Sequence, residues 1–569
     1  MIRAPAAQGK LWQGVVRLQC VDRQPSMVDG ETLSVSVEEE EDSDVREAEQ
    51  ADTGTPRLTR DEVEDGLERM YKYDAQQKDE QSDRDATAST SSSFSYQKRF
   101  ANKAPDEDCT MESWKKRKKH MFVFSNAGKP VFSRYGDEHH MSTFFAAAQA
   151  IMSFVGDKWG EKLVSINGGV HAKPRGVWER RSEREPEGNA DRTSLIRNLC
   201  GLKAVFMERG PLTFVCISRT SETRAVLKHQ LSLLHSQFIS ILTLGIERAF
   251  ARSANFDMRK LLNGTGPLLR SVIHSGTWEF PVIFGGFAPL PLDLGLRKSI
   301  AQSLQGCFVP DLLCSLLFTE DRVICISKRK RFKLDHKDLF LFTNFVRLND
   351  SFKQNESFTP FCFPSFNASA FLYVYVSYIT DQVCLAMVSG RSDSFHELAE
   401  AKAFVQNYLH QTHVLSGLTA ALQEDTLKVQ ELPMSAGGGF VGETPLWHYV
   451  YYHKNLRQLL SPRMGTQMPL MGRDAQKKVL RAYQEMTTAR YEGMTVRWRR
   501  NESFTMIACI SLDFDLYATF DSIVDADGAV AICNQLAQYI HSKEKDLLMP
   551  VFQMKSNSRI TASARRATL

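Results

Sequence analysis

From residue 121 the chain alternates short apolar runs with polar turns. Met121–Phe124 and Val131–Tyr135 read as strands joined by the turn signal Ser125-Asn126-Ala127-Gly128-Lys129. Ser142–Val155 follows as a helix without a charged residue. Phe144, Ala148, Ile151 and Val155 form one stripe at spacings of four, three and four, while Phe145, Met152 and Phe154 lie elsewhere on the wheel. A helix apolar almost all round is buried on more than one side. It therefore meets a partner surface or is covered within its own chain. Leu202–Met207 and Leu212–Ile217 are strands around the tight turn Glu208-Arg209-Gly210-Pro211. A long helix from about Glu222 buries Leu227, Leu231, Leu234, Phe238 and Ile241, and a short one near Asp257–Leu262 ends at Asn263-Gly264. This unit is α+β, a small antiparallel sheet covered by helices.

The order recurs loosely twice. The second unit has apolar strand matter at Phe280–Phe287 and a helix near Leu296–Leu304. Strands follow at Leu312–Phe318, Val323–Ser327, Phe371–Tyr378 and Val383–Val388, and a helix begins near Ser394. The third has a strand at Leu446–Tyr452 and a helix from Asp474 to about Arg490. Strands at Thr495–Arg499, Phe504–Ile510 and Tyr517–Phe520 precede a closing helix from about Ala529. The polar joints Asn263–Gly276 and Glu431–Glu443 separate the units. The expected domains are 115–270, 276–430 and 443–552, between a disordered acidic region at 1–114 and a disordered tail at 553–569.

Charge sharpens that division. The net charge of +4 is uneven: Glu31–Ser93 holds 20 acidic against 7 basic residues, so the body carries a large positive excess. The acidic region, which includes a run from Glu38 to Asp44 and a Ser/Thr tract at 87–93, is either a passive solubilising tail or a cover for its own body's basic surface. No run of about 18 apolar residues occurs, and Arg17 and Gln19 break the only apolar stretch near the amino terminus, so a cytoplasmic protein is expected. The 11 cysteines include no CxxC, which makes core thiols the expectation.

Familiar catalytic signatures are missing: no phosphate-binding loop, nucleophile elbow or H-E-x-x-H helix is present. Gly437–Gly439 lead to Phe440 without a lysine, which suits a linker. His139 and His140 are adjacent and point apart, while His410 and His413 lack a third ligand nearby, so no metal and no cofactor are expected. Two basic clusters remain, Lys115, Lys116, Arg117, Lys118 and Lys119, and Lys328, Arg329, Lys330, Arg331 and Lys333. Phe332 inside the second permits a headgroup or stacking role. Each cluster is an anionic-membrane candidate or a solvated loop. Nucleic acid is not the expected partner, because no aromatic strand pair or helix-turn-helix accompanies them.

The stretch KKRKKHMFVFSNAGKPVFSRYGDE with its charge-free helix resembles the SAND family, the vacuolar fusion proteins called Mon-one. MERGPLTFVCISRTSET, FTPFCFPSFNASAFLYVYVSYI, LWHYVYYHKNLRQLLSPR and DFDLYATFDSIVDADGAVAICNQLAQYIHSKEKDLL extend the likeness in family order, from about Lys115 to Met549. The resemblance implies three longin-type domains. It also implies a heterodimer with a second triple-longin chain, the CCZ-one partner, that acts as a guanine-nucleotide exchange factor for a Rab-seven class GTPase. Recruitment by a Rab-five class GTPase and by phosphatidylinositol 3-phosphate to endosomal and vacuolar or lysosomal membranes is implied as well, with a possible third subunit. Chemical catalysis is not implied, because exchange needs only tighter binding to the nucleotide-free GTPase. Under this resemblance the helix residues Phe144, Phe145, Ala148, Ile151, Met152 and Val155 are partner-interface candidates. Asn126, Lys129, Arg219 and Thr220 are candidate GTPase contacts, the alternative for each being turn formation or helix capping. The family pattern is interrupted by a charged stretch at about 168–197, a lineage-specific loop or unspliced intron sequence.

Overall fold

The computed structural model describes residues 19–20, 34–37, 99–101, 106–108, 111–138, 145–146, 148–150, 152–153, 163–167, 202–253, 256–424, 427–429, 445–462, 473–488 and 495–554. They form two compact units, residues 25–273 and residues 274–569 with 1–24.

Two short strands come from the acidic region, β1 (Gln19–Cys20) and β2 (Ser34–Val37). The first domain then contributes β3 (Lys119–Ser125), β4 (Pro130–Ser133), β5 (Leu163–Asn167), β6 (Lys203–Arg209) and β7 (Leu212–Ser218). Its helices are α1 (Arg224–Leu242), capped by the Thr223 side chain, and α2 (Gly245–Arg252). The sheet order is β2-β5-β6-β7-β3-β4, and β2 pairs antiparallel with β5. Every residue of β3 is buried, because both faces of the sheet are covered. Strand alternation sends Phe122 and Phe124 to one side, where Phe145 meets both rings at about 5.5 Å. Phe214 and Phe132 face the other side and pack edge-on against Phe238 of α1.

The 274–569 unit holds two further copies of this plan. The linker into it forms α3 (Gly266–Trp278), α4 (Phe280–Phe284) and α5 (Leu294–Gln305). The second domain comprises β8 (Leu312–Phe318), β9 (Val323–Lys328), α6 (His336–Leu348), β10 (Ser357–Phe361), β11 (Leu372–Thr380), β12 (Val383–Ser389), α7 (Phe395–Gln411) and α8 (Val414–Gln423). The third comprises β13 (Leu446–His453), β14 (Gln458–Leu460), α9 (Arg473–Thr488), β15 (Thr495–Arg500), β16 (Thr505–Ile510), β17 (Phe514–Phe520) and α10 (Ala526–Ser542). The strand β18 (Phe552–Gln553) closes the described chain. The sheet orders are β10-β11-β12-β8-β9-β18 and β1-β15-β16-β17-β13-β14. In all three sheets the domain's own five strands follow one order, its third, fourth, fifth, first and second strands, with a sixth strand added at one edge.

The structure departs from the sequence pattern at three places. The apolar run Phe280–Phe287 predicts strand matter of the second domain, but Phe280–Phe284 is helical and packs into the third domain's core. Phe280 lies 5.1 Å from His448 and 5.5 Å from Tyr483, and Phe284 lies 5.1 Å from Tyr517. Pro281 at the first turn and left-handed Gly285 at the end start and stop this helix. Second, β18 spans the expected 552/553 boundary between the third domain and the tail and pairs parallel with β9 of the second sheet. Third, α6 and β10 were not anticipated. Pro360 reads against a strand, yet β10 is an edge, where a missing N–H costs nothing.

Asn167 and Lys203 are directly paired across β5 and β6. The stretch at 168–197 lies outside the described residues, between these two paired positions in the chain. An insertion there lengthens a hairpin connection at small entropic cost.

Candidate interaction surfaces

The first domain's polar candidates do not converge. Asn126 sits at the turn end of β3, where its side chain donates to Gly210 O at 3.1 Å and accepts from Thr213 Oγ1 at 3.3 Å. Its backbone N–H donates to Pro211 O at 3.0 Å, so Asn126 stitches the β3–β4 and β6–β7 turns together. Lys129 closes the same turn, its N–H donating to Ser125 Oγ at 3.2 Å. Arg219 and Thr220 follow β7, whose end pairs with the opposite end of β3, Ser218 against Lys119. Seven residues of strand separate the two pairs, about 20 Å. One GTPase contact surface cannot include all four without spanning the sheet.

Thr220 belongs to a buried polar clamp. Lys119, expected among the membrane-facing basic residues, is only 6% exposed. Its ammonium lies 2.5 Å from Glu222 Oε2, 2.6 Å from Oε1 and 3.1 Å from Gln230 Oε1. Thr220 Oγ1 donates to Glu222 Oε2 at 2.5 Å, Gln230 Nε2 donates to Oε1 at 2.9 Å, and Lys203 Nζ donates to Glu222 O at 2.7 Å. The reason is strand alternation: Lys119 opens β3 on the α1 face, beside Met121 and Val123. Burial would raise the Glu222 carboxyl, but the Lys119 charge and the hydrogen bonds from Lys119, Thr220 and Gln230 hold it below its ordinary value. A depressed carboxylate stabilises the fold above the unfolded-state value of about 4.3 and loses that contribution as pH falls through the folded-state value. Urea unfolding between pH 7 and pH 3 is expected to show this acid loss in the wild type and a shallower loss in Glu222→Gln.

The rest of the first basic run behaves differently. Lys115, Lys116 and Lys118 are exposed. Arg117 is held by Glu107 at 2.8 and 3.2 Å and lies 4.8 Å over the Tyr135 ring. Arg219, also exposed, donates its N–H to Lys118 O at 2.8 Å, so residues assigned to two different surfaces share one end of the sheet. Burial, with Arg134, Arg117 and Arg219 nearby, pulls His120 down to about 4 even though a backbone bond to Trp114 favours its charged form. That end of the domain carries a concentrated positive field.

The second basic run is split in the same way. Phe332 is fully buried, packed 4.7 Å from Phe366 and 5.8 Å from Phe363, and is not available to a headgroup or base. Lys328 donates to Phe332 O at 3.0 Å and Arg329 is half-buried, while Lys330, Arg331 and Lys333 are exposed. Arg331 makes only an exposed pair with Asp311 at 3.4 Å. The loop between α5 and β8 links these charges to apolar surface that the sequence did not flag. It carries Phe308, 56% exposed, between Asp311 and Gly306, whose missing Cβ would lie 2.9 Å from the 47% exposed Phe404.

The proposed partner helix is also divided. Residues 145–146, 148–150 and 152–153 are helical. Phe145 and Met152 are buried in the first domain's own core with Trp114, Phe122, Phe124, Leu163 and Phe206, so they are not available to another chain. Ala148 packs against the same cluster. Ala146, Ala150 and Ser153 are exposed on the opposite face. Phe144, Ile151 and Val155 lie outside the described residues.

Among the described residues no three metal-ligating side chains converge, and no helix is long and apolar enough to cross a membrane. Cys216, Cys307, Cys314, Cys325, Cys362, Cys384, Cys509 and Cys533 are buried, and burial pushes the Cys216, Cys307 and Cys325 thiols up to about 12. None of these three is a ready thiolate.

Three repeats of one five-strand order packed with helices define a triple longin-domain protein. Sequence-family models agree. The first, second and third longin domains of FUZ, MON1 and HPS1 match residues 119–183 with 189–272, 310–407 and 445–544. The chain is similar to an Arabidopsis thaliana protein named vacuolar fusion protein MON1 homolog, 32% identical over 508 residues, 85% of this chain and 78% of that one. It is likewise similar to the Gallus gallus vacuolar fusion protein MON1 homolog A, 27% identical over 452 residues, 78% of this chain and 74% of the relative. The Takifugu rubripes protein named SAND is 26% identical over 454 residues, 79% of each chain. The chain belongs to the MON1 family of longin proteins.

Proposed function

We propose that this chain acts in vacuolar fusion as one subunit of a heterodimeric guanine-nucleotide exchange factor. Its partner is the CCZ-one protein and its substrate a Rab-seven class GTPase. A Rab-five class GTPase and phosphatidylinositol 3-phosphate recruit it peripherally to endosomal and vacuolar or lysosomal membranes, where a third subunit can join. The observation that carries the reading is the triple longin architecture shared along most of the chain with relatives named vacuolar fusion proteins. The partner meets the outer face of the first domain's helix at Ala146, Ala150 and Ser153. Lys118 and Arg219 are the leading contacts for the GTPase. Fluorescent-GDP release from a Rab-seven class GTPase tests the reading. Release is expected to accelerate with the heterodimer and to slow on Lys118→Glu with Arg219→Glu. Unaccelerated release would favour a non-catalytic longin scaffold.

Membrane attachment runs through the second domain's exposed charges, with Phe308 and Phe404 as apolar contacts. Each basic residue near an anionic surface contributes about 1 kcal/mol. Lys330→Glu, Arg331→Glu and Lys333→Glu together are expected to reduce binding to anionic vesicles by at least about a hundredfold, while circular dichroism stays unchanged. Binding equal to wild type would remove this surface from the account. The acidic region competes for the same basic surfaces. Neutralising the acidic residues at 38–44 tests this better than deletion, which also removes β1 and β2; tighter vesicle binding is the expected result, and unchanged binding would exclude competition.

A further inference from the structure

The junction between the second and third domains contains one nitrogen with two incompatible neighbours. His336, the first residue of α6, places Nδ1 3.1 Å from Nη1 of Arg457 and 3.2 Å from Oδ1 of Asp335. A guanidinium only donates and a carboxylate only accepts. A single ring nitrogen satisfies Arg457 with its lone pair or Asp335 with a proton, never both at once.

The surroundings hold the ring in this position. His336 Nε2 lies 3.3 Å from where a Cβ on Gly285 would stand, at the left-handed end of α4. Arg457 has a φ of 50° in the β13–β14 turn, and its carbonyl accepts from Phe287 N at 3.0 Å, while Leu459 N donates to Phe287 O at 2.9 Å. A Cβ on Gly286 would meet Arg457 O at 2.6 Å, so the linker presses directly on the turn. The charged and titratable groups nearby are few. Asp335 caps α6 through Lys337 N at 2.9 Å; burial opposes its ionisation, but His336, Lys337 N and Arg457 hold it at about 2. Asp338, one turn on, receives Ser365 N, Ser365 Oγ and Phe366 N, yet burial pushes it up to about 6. Tyr452 donates to Gly285 O at 3.3 Å, and Lys454 is engaged by Asp515 at 2.8 Å.

We propose that His336 is a proton-operated latch between the second and third domains. With Nδ1 unprotonated, the ring accepts from Arg457 and fastens the β13–β14 turn to α6. In the imidazolium, with both ring nitrogens protonated, Nδ1 donates to Asp335, and Arg457 loses its acceptor and faces a second cation.

Hydrogen–deuterium exchange of the full chain at pH 7.5 and pH 5.5, corrected for intrinsic rates, tests the latch on peptides covering 285–290 and 456–460. Wild type is expected to lose protection there several-fold at pH 5.5. His336→Gln, whose side-chain carbonyl accepts at either pH, is expected to stay protected. Arg457→Met is expected to be weakly protected at both. Because His336→Gln retains Asp338, a pH response arising from that carboxyl would persist in it. Parallel pH dependence in wild type and His336→Gln would overturn the proposal, as would an unchanged pH response in Arg457→Met.

Discussion

Replacing Arg297 by methionine is expected to cost the 274–569 unit about 3–5 kcal/mol. Arg297 is fully buried on α5 and has only carbonyls for partners. It donates to Ile324 O at 2.9 Å on β9, to Leu290 O at 2.8 Å and Leu292 O at 3.4 Å in the linker, and to Asp546 O at 3.0 Å near the chain's end. One guanidinium thereby ties the second sheet, the linker and the segment after α10. Methionine fills the volume but supplies no donor, and several buried carbonyls lose a partner together. Burial pulls Arg297 down to about 10, still far above neutral pH, so the group stays cationic. Urea denaturation of the full chain reads the effect; a loss below about 1 kcal/mol would show that the tie is dispensable. Arg297→Lys should fall between, since an ammonium cannot reach all four oxygens in the guanidinium's fork.

The second large effect belongs to Lys119. Lys119→Met leaves Glu222 charged, 4% exposed and without its cation. Removing one partner of a buried pair typically costs about 3–5 kcal/mol. The double variant Lys119→Met with Glu222→Leu is expected to recover much of the loss, because well-packed apolar groups replace a buried pair at little net cost. If the single variant unfolds at wild-type urea concentration, the clamp contributes nothing and Lys119 returns to the pool of surface charges.

Both effects mark where the sequence was and was not legible. The third domain was the most readable, because β13, β15, β16 and β17 alternate or run apolar between plain turn signals. The repeated sheet order follows from that patterning and from the long α1 and α10 stripes. The basic runs misled for one physical reason. A row of like charges looks uniform in sequence, but β3 begins inside the first run and strand alternation sends Lys119 inward. Phe332 fails in the same way: it is flanked by Arg331 and Lys333, yet it belongs to an aromatic cluster with Phe363 and Phe366. The 280–284 stretch is a five-residue apolar run, too short for periodicity to separate strand from helix. Arg297 carried no signal, since a lone arginine on an amphipathic helix looks solvated until the linker closes over it. Arg219 and Lys118 were each visible, but their adjacency is made by the pairing of β3 with β7.

We propose that this chain, with its partner, promotes nucleotide release by preferring one state of a small GTPase. The most direct measurement is the affinity of the purified heterodimer for a Rab-seven class GTPase in nucleotide-free and GDP-loaded form. Much tighter binding to the nucleotide-free form, weakened by Lys118→Glu with Arg219→Glu, is the predicted result. Equal affinity for the two forms would contradict the account, because a factor without differential affinity cannot shift the exchange.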